Sequence, residues 1–291
     1  MNVRSEPTES NREYSDVVQV FEPHTLALPR LRDYFSDVLD RRAFISALAR
    51  SEIRGQQSST ALGELWALAD PVFQAAIYYF LFVVIRGSTG GTNSTAYITV
   101  IISSVFFFNY TRVAIQEGGR SILRHKGLVL NSVFPRAMLP ISDVYKGALE
   151  TAPALAIYAV LHLLFRAPVT QAVLLIPLLL LFQTAMNLGF AMLFSTLTVY
   201  FKDMSNLLNY ILRILTFATP VVYPVATLQP SVQQLLIWNP LFPLFSAYQG
   251  VITGQTPTGG QILACTFWSV VLLAIGGWSF LRYERAFALY V

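Results

Sequence analysis

Residues 214–243 read ILTFATPVVYPVATLQPSVQQLLIWNPLFP, and they open a run to residue 281 that holds no Asp, Glu, Lys or Arg. Arg213 and Arg282 bracket it. Roughly a quarter of a soluble domain is charged, and no water-facing surface stays hydrated across such a run. About 20 apolar residues cross a hydrocarbon core, so the run is too long for one span. Pro220, Pro224, Pro230, Pro240, Pro243 and Pro257 interrupt it. It therefore reads as two spans joined by a bent apolar segment that stays in or near the bilayer. Broken backbone at membrane depth is tolerated only where protein or a water-filled cavity satisfies its polar groups. The pattern points to a pathway through a membrane.

The rest of the chain agrees with this class. Of its 291 residues 54% are hydrophobic and only 12% charged, so most of the chain forms one membrane unit. The net charge of +4 is not gathered into a basic patch on a soluble face, which excludes nucleic acid as a partner. Cys265 is the only cysteine; it lies in an apolar run and reads as a buried, inert thiol. Residues 1–30 read as a flexible cytoplasmic tail with no cleavable signal pattern. From Leu31 onward Phe35, Val38, Ile45, Leu48 and Ala49 recur at helical spacing while the charges fall largely elsewhere. That is an amphipathic helix over residues 31–55, lying along the membrane interface or on the protein's own cytoplasmic face.

The expected fold is all-α and integral to the membrane, with residues 56–291 as one transmembrane domain. Six spans are placed near 67–86, 96–115, 144–165, 170–200, 207–223 and 261–281, the fourth long enough to tilt. Lys and Arg set the orientation. One side carries Arg41, Arg42, Arg50, Arg54, Arg112, Arg120, Arg124, Lys126, Arg136, Lys146, Lys202, Arg282 and Arg285, the other only Arg86 and Arg166. Both termini are then cytoplasmic.

No enzyme constellation emerges. His24, His125 and His162 have no metal-ligand spacing, and no G-x-x-x-x-G-K-[ST] loop is present, so this chain does not bind ATP by that route and active transport would draw on another subunit or an ion gradient. Glu150 and Arg213 are the clearest ionisable groups inside the expected spans, and they read as a structural pair or, alternatively, a substrate contact. The rings of Tyr78, Phe82, Phe106, Phe107, Tyr110 and Phe217 read either as lipid-facing bulk or as flat faces on which the apolar C–H faces of sugar rings slide. The loop 116–140 carries Glu117, Arg120, Arg124 and Lys126 around a short helix, either solvated or docking a cytoplasmic partner.

The order of these features resembles the permease subunits of ABC-2 type exporters for polysaccharides such as O-antigen, teichoic acid and cell-wall galactan. The resemblance covers nearly all the chain beyond residue 40. It rests on Ala49-Arg50-Ser51-Glu52-Ile53-Arg54, on Leu62 to Leu68 with Asp70-Pro71, on Val133-Phe134-Pro135-Arg136 with Leu139-Pro140, on Tyr200-Phe201-Lys202-Asp203, on Thr219 to Pro224, and on Trp238 to Pro243. The family more often has Gln where Asp70 stands, and a basic residue near Gly55-Gln56. The resemblance implies two permeases and two separate ATPase subunits, with ATP and Mg on the ATPases and no cofactor on this chain. It implies a polyprenyl-linked polysaccharide as cargo, crossing a bacterial plasma membrane in a multi-pass homodimer, rather than the small drug or lipid of other ABC-2 permeases. Residues 31–55 would be the interface helix, and Arg50, Arg54 and the 117–130 helix would couple to the ATPase. Residues 226–254 would be re-entrant helices at the outer face, with Tyr223, Trp238, Asn239 and Phe242 gating the exit. The route would be lined by the first, second and fifth spans.

Overall fold

The computed structural model describes residues 31–58, 66–81, 94–164, 170–201 and 203–291; the expected tail 1–30 lies outside them. The helices are α1 (Leu31–Asp40), α2 (Arg42–Ser58), α3 (Trp66–Tyr79), α4 (Ser94–Gly118), α5 (Ser121–Arg124), α6 (Lys126–Asn131), α7 (Met138–Leu164), α8 (Ile176–Tyr200), α9 (Met204–Ala218), α10 (Pro230–Leu236), α11 (Leu241–Ile252), α12 (Gly259–Tyr283) and α13 (Phe287–Tyr290). A 3₁₀ turn, Gln171–Leu175, leads into α8. No strand occurs among the described residues. Four helices are long and apolar enough to cross a membrane: Ile98–Gly118, Met138–Leu164, Gln171–Tyr200 and Gly259–Tyr290. The expected first span is seen as α3, and the end of its range lies outside the described residues. The expected fifth is α9, whose 15 residues extend about 22 Å at 1.5 Å per residue.

The end of α9 has a local cause. A residue before proline is pushed out of the helical region, and Thr219, ahead of Pro220, takes φ −103° and ψ 144°. At the interface helix the expectation is corrected in one respect: the chain turns at Arg41, so residues 31–55 belong to two helices. Pro230 sits in the first turn of α10, and Thr258 and Gln261 form a reciprocal capping box that starts α12.

Helix α4 is the axis of the packing. Its apolar window is 89% buried, against 28% for α7, 33% for α8 and 22% for α12, so the other helices present a face outward while α4 is surrounded. Antiparallel α9 lies along α4: Gly119, just past the end of α4, meets Leu208 of α9, and the residues after α9 reach Ser104 through Gln249. The most extensive helix pair is α8 with α12. Gly276 packs against the backbone of Gly189, and a Cβ on either glycine would run into the facing main chain. In a bilayer, small residues are what let two backbones approach this closely. Ser269 Oγ of α12 adds a hydrogen bond to the Phe182 carbonyl oxygen at 3.2 Å.

These contacts predict that Gly276→Val is tolerated far less than Gly277→Val, because nothing lies within 4 Å of a Cβ at Gly277. Overpacking a close-packed core costs about 1–3 kcal/mol or more. Thermal unfolding in detergent, followed by size-exclusion fluorescence, should show a lowered midpoint or aggregation for Gly276→Val and near-parent behaviour for Gly277→Val.

Candidate functional site

One end of the bundle carries nearly all the charge. There α2, α4, α5 and α7 meet at Arg124, the last residue of α5. Its guanidinium pairs with Glu117 of α4, with Asp143 of α7, and with Glu52 of α2 at 3.3 Å. Lys146 of α7, only 2% exposed, reaches Glu52 at 3.7 Å and Glu150 at 3.9 Å. His125 follows Arg124, and its two ring nitrogens face two acceptors. Nδ1 lies 2.9 Å from the Ser121 carbonyl oxygen and Nε2 lies 2.8 Å from a Glu52 carboxylate oxygen. Both nitrogens need a proton to serve these partners, so the geometry selects the imidazolium.

The titration follows from these contacts. Burial opposes the charged form of His125, but its hydrogen bonds to Glu52 and to the Ser121 carbonyl outweigh that and raise its pKa. Burial likewise pushes the Glu52 carboxyl up, yet the hydrogen bond from His125 and the charges of Arg124 and Lys146 win and hold it below its ordinary value. For Arg124, the pull of burial is reversed by Asp143, Glu52 and Glu117, so it stays firmly charged. Four carboxylates thus share three cationic partners, and Asp143 Oδ2 is buried with no hydrogen-bond partner among the described residues.

Two further tethers bind this end. The Tyr34 hydroxyl of α1 donates to Glu284 at 2.6 Å and accepts from the Ala137 backbone N–H at 3.2 Å, while Arg136 donates to the Glu284 carbonyl. Arg120 donates to the Ser205 carbonyl of α9 at 2.5 Å. These bonds join α1 to the start of α7 and to the turn after α12, and the α4–α5 turn to α9.

At the opposite end the proline-broken segment is held by two amides. Gln249 of α11 donates to the carbonyls of Pro220 at 2.7 Å and Tyr223 at 3.1 Å, and accepts from the Val225 N–H at 2.8 Å. Asn239 donates to Ala218 O at 2.9 Å and Thr219 Oγ1 at 3.0 Å, and accepts from Leu241 N–H at 3.0 Å. These are the carbonyls and amides that the prolines set free from helix bonding.

The residues singled out from the sequence separate. Phe106, Phe107 and Tyr110 are at most 2% exposed, so the expectation that they line a channel is corrected for the described chain. Phe107 stacks on Tyr248 at 3.9 Å between ring centres, and Gln183 ties α4, α8 and α11 together. It donates to Phe107 O at 2.7 Å and Thr111 Oγ1 at 3.0 Å and accepts from Tyr248 at 2.9 Å. Phe217 stands exposed on α9. Phe82 and the side chain of Tyr78 lie outside the described residues. The expected Glu150–Arg213 pair is also corrected: Glu150 pairs with Lys146, one turn back on its own helix, and Arg213 sits exposed on α9. Of the expected outer gate, Trp238 is exposed, Phe242 is buried, and the Tyr223 hydroxyl donates to Phe217 O at 2.9 Å. Glu117, Arg120 and Arg124 are brought into the charged junction or its tethers, whereas Arg50, Arg54 and Lys126 are exposed. The reading of the sequence missed Glu52, Asp143 and Lys146 as junction residues, Gln249 as a staple of the broken segment and Gln183 as a tie between helices. Only the i, i+4 spacing of Lys146 and Glu150 signalled a pair.

A helical bundle with a central enclosed helix and several helices long and apolar enough to cross a membrane is a multi-pass membrane protein. A family model described as ABC-2 type transporter matches residues 44–253, and the chain belongs to that family. Its relatives include the O-antigen export system permease protein RfbA of Myxococcus xanthus, 26% identical over 80% of this chain and 89% of that one. The protein of the same name from Klebsiella pneumoniae is 22% identical over 83% and 92%. The polysialic acid transport protein KpsM of Escherichia coli is 24% identical over 81% and 92%. These are the polysaccharide exporters to which the resemblance pointed.

Two outcomes follow from the geometry. Phe107→Ala should act on stability, costing about 3–5 kcal/mol as large aromatic truncations in cores do, and should lower the thermal midpoint of the purified protein. The attachment of α2 should weaken as pH rises through the raised pKa of His125, where the imidazolium loses one N–H. At the acid side it should persist until the depressed pKa of Glu52 is reached. Hydrogen exchange over residues 42–58, measured between about pH 6 and pH 9 and corrected for intrinsic exchange, should quicken with pH in the parent. The dependence should flatten in His125→Gln.

Proposed function

We propose that this chain is the membrane subunit of an ABC exporter that moves a polyprenyl-linked polysaccharide out of the cytoplasm across a bacterial plasma membrane. The observation that carries the reading is that its relatives, aligned over most of both chains, bear the names of O-antigen and polysialic acid export proteins. Two copies of the chain would assemble with two ATPase subunits, which bind ATP and Mg. Six spans with both termini cytoplasmic fit the bias of Lys and Arg toward the end that carries the junction. α3 and α9 would then count as the first and fifth.

In this reading the junction is the transmission. The ATPases would press on α5, α6 and the exposed Arg50, Arg54 and Lys126 nearby. Arg124 and His125 would carry that displacement to Glu52, Asp143 and Lys146, and the Arg120–Ser205 bond would carry it to α9. The polysaccharide route would run along the outward faces of α3 and α9, where Phe73, Ile77, Phe80, Tyr210, Ile214 and Phe217 are exposed. α4 is too enclosed to line it. Exposed Trp238, with Tyr223 nearby, would form the exit, on a segment stapled by Asn239 and Gln249.

Removal of the chain from its native cell should abolish surface polysaccharide and leave lipid-linked glycan inside, and a plasmid copy should restore export. Normal surface glycan in the deletion strain would sink the reading. Glu52→Gln should lower the ATP hydrolysis of the assembled transporter several-fold while the two proteins still copurify; unchanged hydrolysis would remove the junction from transmission.

A further inference from the structure

Along the outward face where α4 meets α9, two arginines stand without carboxylate partners. Arg112 is the one residue of Ile98–Gly118 that is exposed; every other residue of that stretch is buried or half-buried. Its guanidinium donates only to Asn109 Oδ1, from Nε at 3.0 Å and from Nη2 at 2.6 Å. A guanidinium has five N–H donors, so three remain. Arg213 is exposed and makes no ion pair among the described residues. Glu150, on α7, pairs with Lys146 at 3.9 Å, and Arg112 makes no ion pair among the described residues.

Register sets the two side by side. α4 and α9 are antiparallel, and Gln116 of α4 touches Asn209 of α9, Nε2 to Oδ1 at 3.5 Å. One helical turn further from the charged end lies Arg112 on α4 and Arg213 on α9. The face therefore presents two guanidiniums with the amides of Asn109, Gln116 and Asn209 around them, inside helices that are otherwise apolar. Arginine within a spanning helix costs about 2.5–3.5 kcal/mol on insertion scales. Such groups persist where they meet a partner or a water-filled path. A forked guanidinium matches the oxygens of a phosphate, and a pair at one level matches a diphosphate or a phosphodiester. Were a second copy to close over this face, four guanidiniums would gather near its twofold axis, and an anion between them would relieve their repulsion.

We propose that Arg112 and Arg213, supported by Asn109, Gln116 and Asn209, form the site at which the phosphate group of the lipid-linked substrate is held while its chain passes. The inference rests on the exporter reading above and adds the ligand chemistry to it. The exposed rings on α9, Tyr210 and Phe217, flank Arg213 on its own helix. The anion site thus opens directly onto the apolar and aromatic face along which the glycan would move.

The test uses the assembled transporter in neutral phosphatidylcholine nanodiscs, titrated with a fluorescent short-chain polyprenyl diphosphate. Parent protein should bind it, with affinity that falls as salt rises. Arg112→Gln and Arg213→Gln should each weaken binding roughly tenfold, the scale of a lost charge-assisted hydrogen bond. Arg213→Lys should recover part of that, keeping the charge without the fork. Thermal midpoints should stay near the parent value, since both side chains are exposed. Parent-like binding by Arg112→Gln/Arg213→Gln would overturn the site. Equal displacement by phosphatidylglycerol would overturn it in favour of bulk-lipid anchoring, and equal displacement by inorganic pyrophosphate would overturn the lipid source. The two readings fail separately. If the double variant binds normally while deletion of the chain abolishes export, the site falls and the exporter stands. If the double variant loses binding while deletion leaves export intact, the exporter falls and the site stands.

Discussion

Every backbone N–H and C=O that sits in hydrocarbon must be bonded within the protein, because no water is there to take its place. That constraint sets the architecture of the chain. Continuous helices without an interior proline meet it unaided. Helices α4 and α12 are of this kind, as is α8 with its proline in the first turn, whereas α7 carries Pro153 inside it. The segment from Pro220 to Pro243 cannot meet it unaided, since each proline removes a donor and interrupts the helix, leaving nearby carbonyls and amides without helical partners. Gln249 and Asn239 make up the difference, each using both its donor and its acceptor on the broken backbone. A primary amide carries two N–H donors and a carbonyl acceptor on one neutral side chain, which suits two of them to anchor a stretch devoid of charge.

The same economy governs the interior. Gln183 joins three helices through both ends of its amide, and the hydroxyls of Thr196 and Thr198 bond back to carbonyls on their own helix. Tyr158 and His162 close on each other at 2.8 Å. Polar side chains in this bundle are consumed by structure almost everywhere. Against that background Arg112 and Arg213 stand out as exposed cations on α4 and α9, with donors left for a ligand to bind.

The membrane class, the helices and the break between α9 and α12 were legible in the sequence because they depend on hydropathy and on proline, which act locally. The family was legible because its motifs recur in order. What faces what was not. Phe106, Phe107 and Phe108 sit in an apolar helix, and lipid and a protein core reward the same side chains, so hydropathy cannot separate a ring that faces lipid or a channel from one packed on Tyr248. Lys146, at the start of the expected third span, was read only as one of the charges that set orientation, because nothing in composition marks where a helix emerges from the bilayer or which charge is buried. Glu150 and Arg213 were matched by depth alone, whereas i, i+4 spacing on one helix was the stronger rule and paired Glu150 with Lys146.

The position of α4 bears on how a bulky cargo could pass. A helix enclosed on nearly every side by its own chain cannot be the moving wall of a channel without dismantling the core that holds it. Motion would occur at elements with outward faces, and α3 and α9 expose several large apolar side chains. α9 is tied at its start by the Arg120–Ser205 bond and at its end by Asn239 on Ala218 and Thr219, with exposed residues between. A short helix fixed at both ends can rotate about its axis more cheaply than it can translate. Rotation would carry Tyr210, Arg213 and Phe217 across the route together, so the group that holds an anion and the rings that line the path would move as one body.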